Sequence, residues 1–353
     1  MNVVCIIYVQ KYISIIIILL GRNSKVREIS SQRKINNLGW LFIVIIAVYL
    51  LVMFIVQHMA NIGIELPGML LILMSEMALV IPGVIYMIIN KLKFRNDLGF
   101  NRIKPGTIFM SLLFGFTVIP VVSFFNVLSQ FFVPNTMVQA TDSLASGSSA
   151  LTIFIGGILG PLCEEFIFRG IFANEYSKYS TSVKAMIMSG LLFGLMHLNF
   201  NQLCYAFVLG LLFFIVNKAS GSTYTSFIAH AAVNIPNLAG ILLMNLYMKN
   251  SGAEVNLAEA AEVARTSNQL IIIAVVYFVL AIIFGALSIL CLRVIAKNEG
   301  REQILKGMFA RKNKDNENAS YEVDTDVENT KVLLNIPAII AIVGTIIMIV
   351  VPG

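Results

Sequence analysis

Charged residues are scarce in this chain of 353 residues: only 12% are Asp, Glu, Lys or Arg, whereas 58% are hydrophobic. A soluble globular protein has about 25% charged residues. Half of that share leaves too little polar surface to cover a water-soluble globule of this size. The composition therefore predicts a protein that folds in a lipid bilayer.

Paired cysteines, zinc-protease motifs and internal repeats are also lacking. No Cys-x-x-Cys spacing, no His-Glu-x-x-His sequence and no duplicated half is present. The missing repeat argues against a transporter built from two similar halves. The four cysteines are expected to be small buried hydrophobic residues, because all of them lie in apolar runs. They are Cys5, Cys163, Cys204 and Cys291.

Long apolar runs predict the fold class. A helix needs about 20 apolar residues to cross the hydrocarbon core, and a weak candidate at 3–20 is interrupted by Gln10 and Lys11. The prediction is all-α, a polytopic transmembrane helical bundle of about 8–10 spans. The other candidate spans lie at 40–58, 68–90, 106–132, 150–172, 184–199, 202–217, 222–247, 269–295 and 333–351.

Basic residues alternate between the connections. Of the 25 Lys and Arg residues, 21 lie in one set of alternating connections and two, Lys249 and Arg265, lie in the other set. Because cytoplasmic loops are rich in Lys and Arg, the rich set is predicted to be cytoplasmic. Topology thus explains the net charge of +6, and no nucleic-acid partner is expected.

The same pattern divides the chain into four parts. A transmembrane bundle is preceded by a hydrophobic segment and a basic cytoplasmic loop. A polar cytoplasmic segment follows, and a last transmembrane segment comes after it. The predicted boundaries are 1–39, 40–296, 297–332 and 333–353.

Three charged side chains lie within the span at 150–172, where hydrocarbon cannot solvate them. Glu165 and Arg169 are four residues apart on one helix face, so we expect a buried ion pair. Glu164 is rotated from Glu165 by about 100° and is expected to be free for chemistry. Charged groups inside spans are usually functional. The alternative is that these three residues lie in the headgroup region and only mark the end of a helix.

Two of the three histidines lie in nearby spans. His197 follows Phe193 after one helical turn, and His230 and Asn234 share one face of the seventh span. A lone intramembrane histidine is often a packing residue. Together with the glutamates, however, these residues provide a base, a second group to hold water and donors for an oxyanion, as peptide-bond hydrolysis requires. We therefore expect an interior polar catalytic cavity.

In these motifs the chain resembles the CAAX protease and bacteriocin-processing family (CPBP, or Abi) of intramembrane endopeptidases. The family pattern is Glu-Glu-x-x-x-Arg on one helix, Phe-x-x-x-His on another and His-x-x-x-Asn on a third. All three motifs occur here in order within about residues 150–240, and the resemblance implies that this part of the bundle is the catalytic core. Each motif alone is weak, but the ordered set is specific. The rest of the chain matches only as generic membrane helices.

The resemblance implies a role for each motif residue. Glu164 and His197 would activate the attacking water. His230 and Asn234 would stabilise the oxyanion. Glu165 would be held by an arginine, in agreement with the ion pair expected from helix geometry, and Phe193 would support the site.

Family members are often labelled metalloproteases. One carboxylate and two histidines can bind zinc and leave a position open for water, so Glu164, His197 and His230 are the ligands expected if a divalent metal is bound. These residues come from three separate helices, and His-Glu-x-x-His is missing. A metal-free mechanism with Glu and His is therefore favoured.

The expected partners are the lipid bilayer and a peptide or protein substrate. Relatives process prenylated proteins in eukaryotes and act in bacteriocin maturation or self-immunity in bacterial-type membranes, so a lipidated or bacteriocin-like peptide and a bacterial-type plasma membrane are expected. Two alternatives stay open. The ionisable groups would form a proton relay in a transporter, or the fold would serve as a non-catalytic immunity or scaffold protein.

Overall fold

Helices make up the fold that a computed structural model describes for residues 31–135, 148–251, 263, 268–309 and 333–350. No strand occurs in these ranges, so the all-α prediction is confirmed. The helices are α1 (Ser31–Asn61), α2 (Gly68–Ile89), α3 (Pro105–Gln130), α4 (Ser149–Tyr179), α5 (Ser182–Leu195), α6 (Phe200–Ser220), α7 (Thr223–Ser251), α8 (Gln269–Glu299), α9 (Glu302–Gly307) and α10 (Ile336–Val350).

Seven of the described helices are long and apolar enough to cross a membrane: α1 to α4 and α6 to α8. Two predicted spans correspond to the shorter apolar helices α5, of 14 residues, and α10, of 15 residues. The weak candidate at 3–20, most of the N-terminal part at 1–39 and most of the polar segment at 297–332 lie outside the described residues.

The middle of the chain is the most enclosed part of the bundle. In α4, half of the most apolar stretch is buried inside the protein, against 6% in α8. Helix α4 packs against α2, α5 and α7, while α8 lies mainly along α3. Glu165 and Arg169 of α4 are therefore shielded from lipid by the neighbouring helices, and α8 presents an apolar surface outwards.

Glycines allow these helices to approach closely. Gly190 of α5 and Gly210 of α6 face each other, and a Cβ on Gly210 would lie 2.7 Å from the Cα of Gly190. The two helices form a tight hairpin that is held by a contact that side chains would prevent. Small residues have this role at many membrane helix crossings.

Gly115 makes the same kind of contact between α3 and α7. A Cβ there would lie 2.5 Å from the carbonyl oxygen of Ala229 and 2.6 Å from the Cβ of Ala232. We expect Gly115→Ala to lower the free energy of unfolding by about 1–3 kcal/mol, measured by thermal unfolding in a mild detergent. Gly240→Ala is the control, because no atom lies within 4 Å of its added Cβ. Equal melting temperatures for the two variants would contradict this packing.

Candidate active site

The glutamate pair of α4 lies between two stretches of π-helix. The α-helical turn Gly160–Glu165 follows the π-helical turn Ile155–Leu159 and precedes a second one, Phe166–Ala173. Pro161 has no backbone N–H to donate to an α-helical bond, which favours a wider turn before it. π-Helical turns are frequent at functional sites. The feature of the sequence that points to this irregular helix is the presence of the pairs Gly156-Gly157 and Gly160-Pro161, which the sequence prediction did not use.

Glu165 is the centre of a buried charge network. Its Oε1 is 3.0 Å from Arg169 Nη1 and 3.0 Å from Nδ1 of His230 in α7. At this distance the carboxylate accepts a hydrogen bond from the imidazole, so Nδ1 of the histidine carries the proton. All three side chains are at most 3% exposed. The ion pair predicted from the helix spacing is therefore present, and it also holds the His230 ring in one orientation.

Aromatic rings surround the guanidinium of this network. Arg169 Cζ lies 4.3 Å from the ring centre of Phe193 and 5.2 Å from that of Phe213. Phe213 also lies against the His230 ring, with 5.0 Å between the centroids. A cation over an aromatic face is stabilised by the ring quadrupole. These rings lower the cost of burying Arg169, and they explain the phenylalanine in the second motif.

Glu164 has a different environment from its neighbour. Its side chain is 20% exposed, whereas that of Glu165 is fully buried. Its Oε2 lies 3.6 Å from His230 Nε2, which is beyond a normal hydrogen bond. The two carboxylates therefore approach the two nitrogens of one imidazole, Glu165 tightly and Glu164 loosely. Glu164 remains accessible to a small molecule.

His197 lies in the turn between α5 and α6 and not within a span, which corrects the boundary predicted at 184–199. Helix α5 ends at Leu195. Leu198 has a positive φ of 52°, which is incompatible with a right-handed α-helix. The Nδ1 of His197 is 3.0 Å from the carbonyl oxygen of Phe193. Because a carbonyl only accepts, Nδ1 donates this bond and Nε2 of the neutral ring is left as an acceptor.

Phe193 separates the two histidines. Its ring lies edge-to-face with the ring of His197 at 5.4 Å and with the ring of His230 at 5.9 Å between centroids. The three motifs therefore meet around one buried aromatic side chain.

Asn234 connects α7 to the irregular part of α4. Its Nδ2 donates to the carbonyl oxygen of Gly156 at 3.3 Å. Gly156 belongs to the first π-helical turn. A side-chain amide carries two N–H donors, so this bond orients Asn234 and uses one of them.

Within the ranges that the structure describes, no three His, Cys, Asp or Glu side chains converge to hold a metal ion. The ligand set expected for zinc, Glu164, His197 and His230, does not form such a group.

Glu76 of α2 is a further carboxyl near the site, and it was not among the predicted catalytic residues. It is 8% exposed, and its Oε1 would lie 3.2 Å from a Cβ on Gly160. It interacts electrostatically with Glu164, one turn further along α4. The position of Glu76 in the middle of an apolar span was the available signal, but no local pattern shows which helix it faces.

The fold and these charged residues define an integral, multi-pass membrane protein. Residues 146–236 match the model of a protein family described as Type II CAAX prenyl endopeptidase Rce1-like. The resemblance found in the motifs is thereby confirmed over this segment, which contains all seven motif residues. No curated protein and no solved structure matches the chain.

Proposed function

We propose that this protein is an intramembrane endopeptidase that uses Glu164 as its general base. The observation that carries the proposal is the unequal environment of the two neighbouring glutamates. Glu165 is locked by Arg169 and His230 at 3.0 Å each, whereas Glu164 is accessible and lies beside the same imidazole. The family match over residues 146–236 supports hydrolysis of a peptide bond.

In the proposed first step, a water molecule attacks the carbonyl carbon of the scissile bond. Glu164 accepts a proton from this water, and Nε2 of His197, the nitrogen that does not bond Phe193, accepts a second hydrogen bond from it. The new C–O bond converts the carbonyl into a tetrahedral oxyanion. A general base positioned in this way contributes about 10²–10⁴-fold to the rate.

In the proposed second step, His230 and Asn234 stabilise the oxyanion. His230 donates from Nε2 when its ring carries both protons, with Glu165 accepting at Nδ1. Asn234 donates the amide hydrogen that does not bond Gly156. The intermediate then collapses with cleavage of the C–N bond, and Glu164 returns its proton to the leaving amine. Donors fixed in advance in a dry site are the strongest contributors to this kind of catalysis.

We further propose a lipidated peptide as the substrate. The site is built from membrane helices, so a substrate must enter from the bilayer or its surface, and the matched family is described as prenyl endopeptidases. A role in bacteriocin maturation or self-immunity in a bacterial-type plasma membrane is a narrower proposal, which requires cleavage of peptides without a prenyl group.

The test is cleavage of a fluorogenic peptide, prenylated or not, by the purified full chain in detergent. We expect His197→Ala to lower kcat by about 10²-fold or more, because the water loses one of its two acceptors. His58→Ala is the matched control, since His58 is exposed at the last turn of α1, and it is expected to cleave like the wild type. A folded wild type that cleaves neither peptide but passes protons across vesicles would replace this proposal with the transporter alternative.

A further inference from the structure

The turn that connects α5 to α6 carries His197 and has an unfavourable backbone conformation. Leu198, the next residue, has a φ of 52°. This left-handed region is costly for a residue with a side chain, and a residue stays there only where its surroundings enforce it. Contacts around the turn must therefore hold it in place.

Asn199 joins the two sides of this turn. Its Oδ1 accepts a hydrogen bond from the backbone N–H of Gln202 at 2.7 Å, which makes Asn199 the N-cap of α6. Its Nδ2 donates to the carbonyl oxygen of His197 at 2.9 Å. The side-chain amide fits only this way round, because a backbone N–H donates and a carbonyl oxygen accepts.

A helix cap alone does not require an asparagine. Serine, threonine and aspartate also provide a side-chain oxygen that caps a helix, but none of them has an amide nitrogen. The bond from Asn199 to the His197 carbonyl therefore goes beyond capping. It fixes the backbone of the residue whose imidazole faces the attacking water in the proposed reaction.

The beginning of α6 is anchored to α3. The side chain of Asn201 is fully buried. Its Nδ2 donates to Asn126 Oδ1 at 2.7 Å and to Ser129 Oγ at 2.8 Å. Hydrogen bonds of this kind hold one membrane helix against another. The first turn of α6 is thus a fixed point in the bundle, and Asn199 ties the turn before it to this point.

Two hydrogen bonds then define the position of the His197 side chain. Nδ1 donates to the carbonyl oxygen of Phe193 at 3.0 Å, and the carbonyl of His197 accepts from Asn199 at 2.9 Å. Nε2 is consequently held in one direction as an acceptor. A displacement of a catalytic group by about 1 Å can cost about 10²-fold in rate, so the second bond matters for the reaction.

We propose that Asn199 is a positioning residue, which keeps His197 oriented for water activation without touching the reacting atoms. Its effect on the rate rests on the proposed function. Its effect on the orientation of the imidazole is measurable without any substrate.

Asn199→Asp separates the two roles, because a carboxylate keeps the oxygen of the cap but cannot donate to the His197 carbonyl. We expect kcat to fall about tenfold or more, while KM and the melting temperature stay close to those of the wild type. Asn199→Ser keeps a capping oxygen without adding a charge and should give the same result.

Asn61→Asp is the matched control. It makes the same chemical change at an exposed residue, at the end of α1, and it should cleave like the wild type.

Solid-state ¹⁵N NMR of the full chain, with labelled histidine and in lipid bilayers, measures the orientation directly. The neutral His197 ring of the wild type should carry its proton on Nδ1, because the Phe193 carbonyl accepts there. In Asn199→Asp and Asn199→Ser, a second signal with the proton on Nε2 should appear. The signal that disappears in His197→Gln identifies this residue.

An unchanged His197 signal in both variants would overturn the proposal, whether or not kcat falls. A fall in kcat that only matches a loss of folded protein would overturn it as well. If the wild type cleaves no peptide, the proposed function fails, and the spectra alone then decide whether Asn199 orients the ring.

Discussion

Replacing Glu164 with glutamine is expected to lower kcat for peptide cleavage by about 10²–10⁴-fold while the protein still folds. Glutamine has nearly the same shape, but its amide cannot accept the proton of the attacking water. The side chain is 20% exposed and lies 3.6 Å from His230 Nε2, so the substitution removes no short hydrogen bond. Activity and stability should therefore respond differently, with a large change in kcat and a melting temperature close to that of the wild type.

Glu302→Gln is the matched control for this substitution. It makes the same chemical change at an exposed glutamate in the first turn of α9, and its kcat should equal that of the wild type. Both variants are measured with the same peptide and in the same detergent. A Glu164→Gln protein that cleaves at more than about a tenth of the wild-type rate would show that another group is the base.

Replacing Arg169 with glutamine is expected to lower the free energy of unfolding by about 3–5 kcal/mol. The reason is that Glu165, which is fully buried, loses its cation in a region where neither lipid nor protein can solvate a carboxylate. The His230 ring also loses its fixed anchor, so cleavage should fall as well. Denaturant unfolding in mixed micelles measures the first effect.

An exposed cation away from the charge network is the control. Lys306 of α9 is exposed, so Lys306→Gln should change the free energy of unfolding by no more than about 0.5 kcal/mol. In addition, Glu165→Gln combined with Arg169→Gln should destabilise less than the sum of the two single variants, because neither charge is then left alone. Strictly additive effects would mean that the two groups do not stabilise each other.

Much of the fold follows from local properties of the chain. The apolar runs predicted about 8–10 spans, and these include each of the seven long apolar helices that the structure describes. This was possible because the length that crosses hydrocarbon is a property of each segment alone. Helical spacing likewise predicted the contact of Glu165 with Arg169, which the structure shows at 3.0 Å. The difference between Glu164 and its neighbour was predictable for the same reason, since adjacent residues of a helix face different surroundings.

Helix boundaries were predicted less well where side chains compete with the backbone. The apolar residues around His197 predicted that it lies within a span. In the structure its imidazole bonds the carbonyl of Phe193 after α5 has ended. The π-helical turns beside the glutamates were also not predicted, because they depend on the neighbours of α4 as well as on Pro161.

The sequence by itself determined that this is a membrane protein, which segments are helical and which residue types meet on one helix face. Only the tertiary structure decided that His230 stands between two carboxylates and that Glu76 faces Gly160. These distances join residues from different helices. They depend on how closely the helices approach each other, and contacts such as that of Gly115 with Ala229 determine this approach. The periodicity of a single segment carries no information about its neighbour.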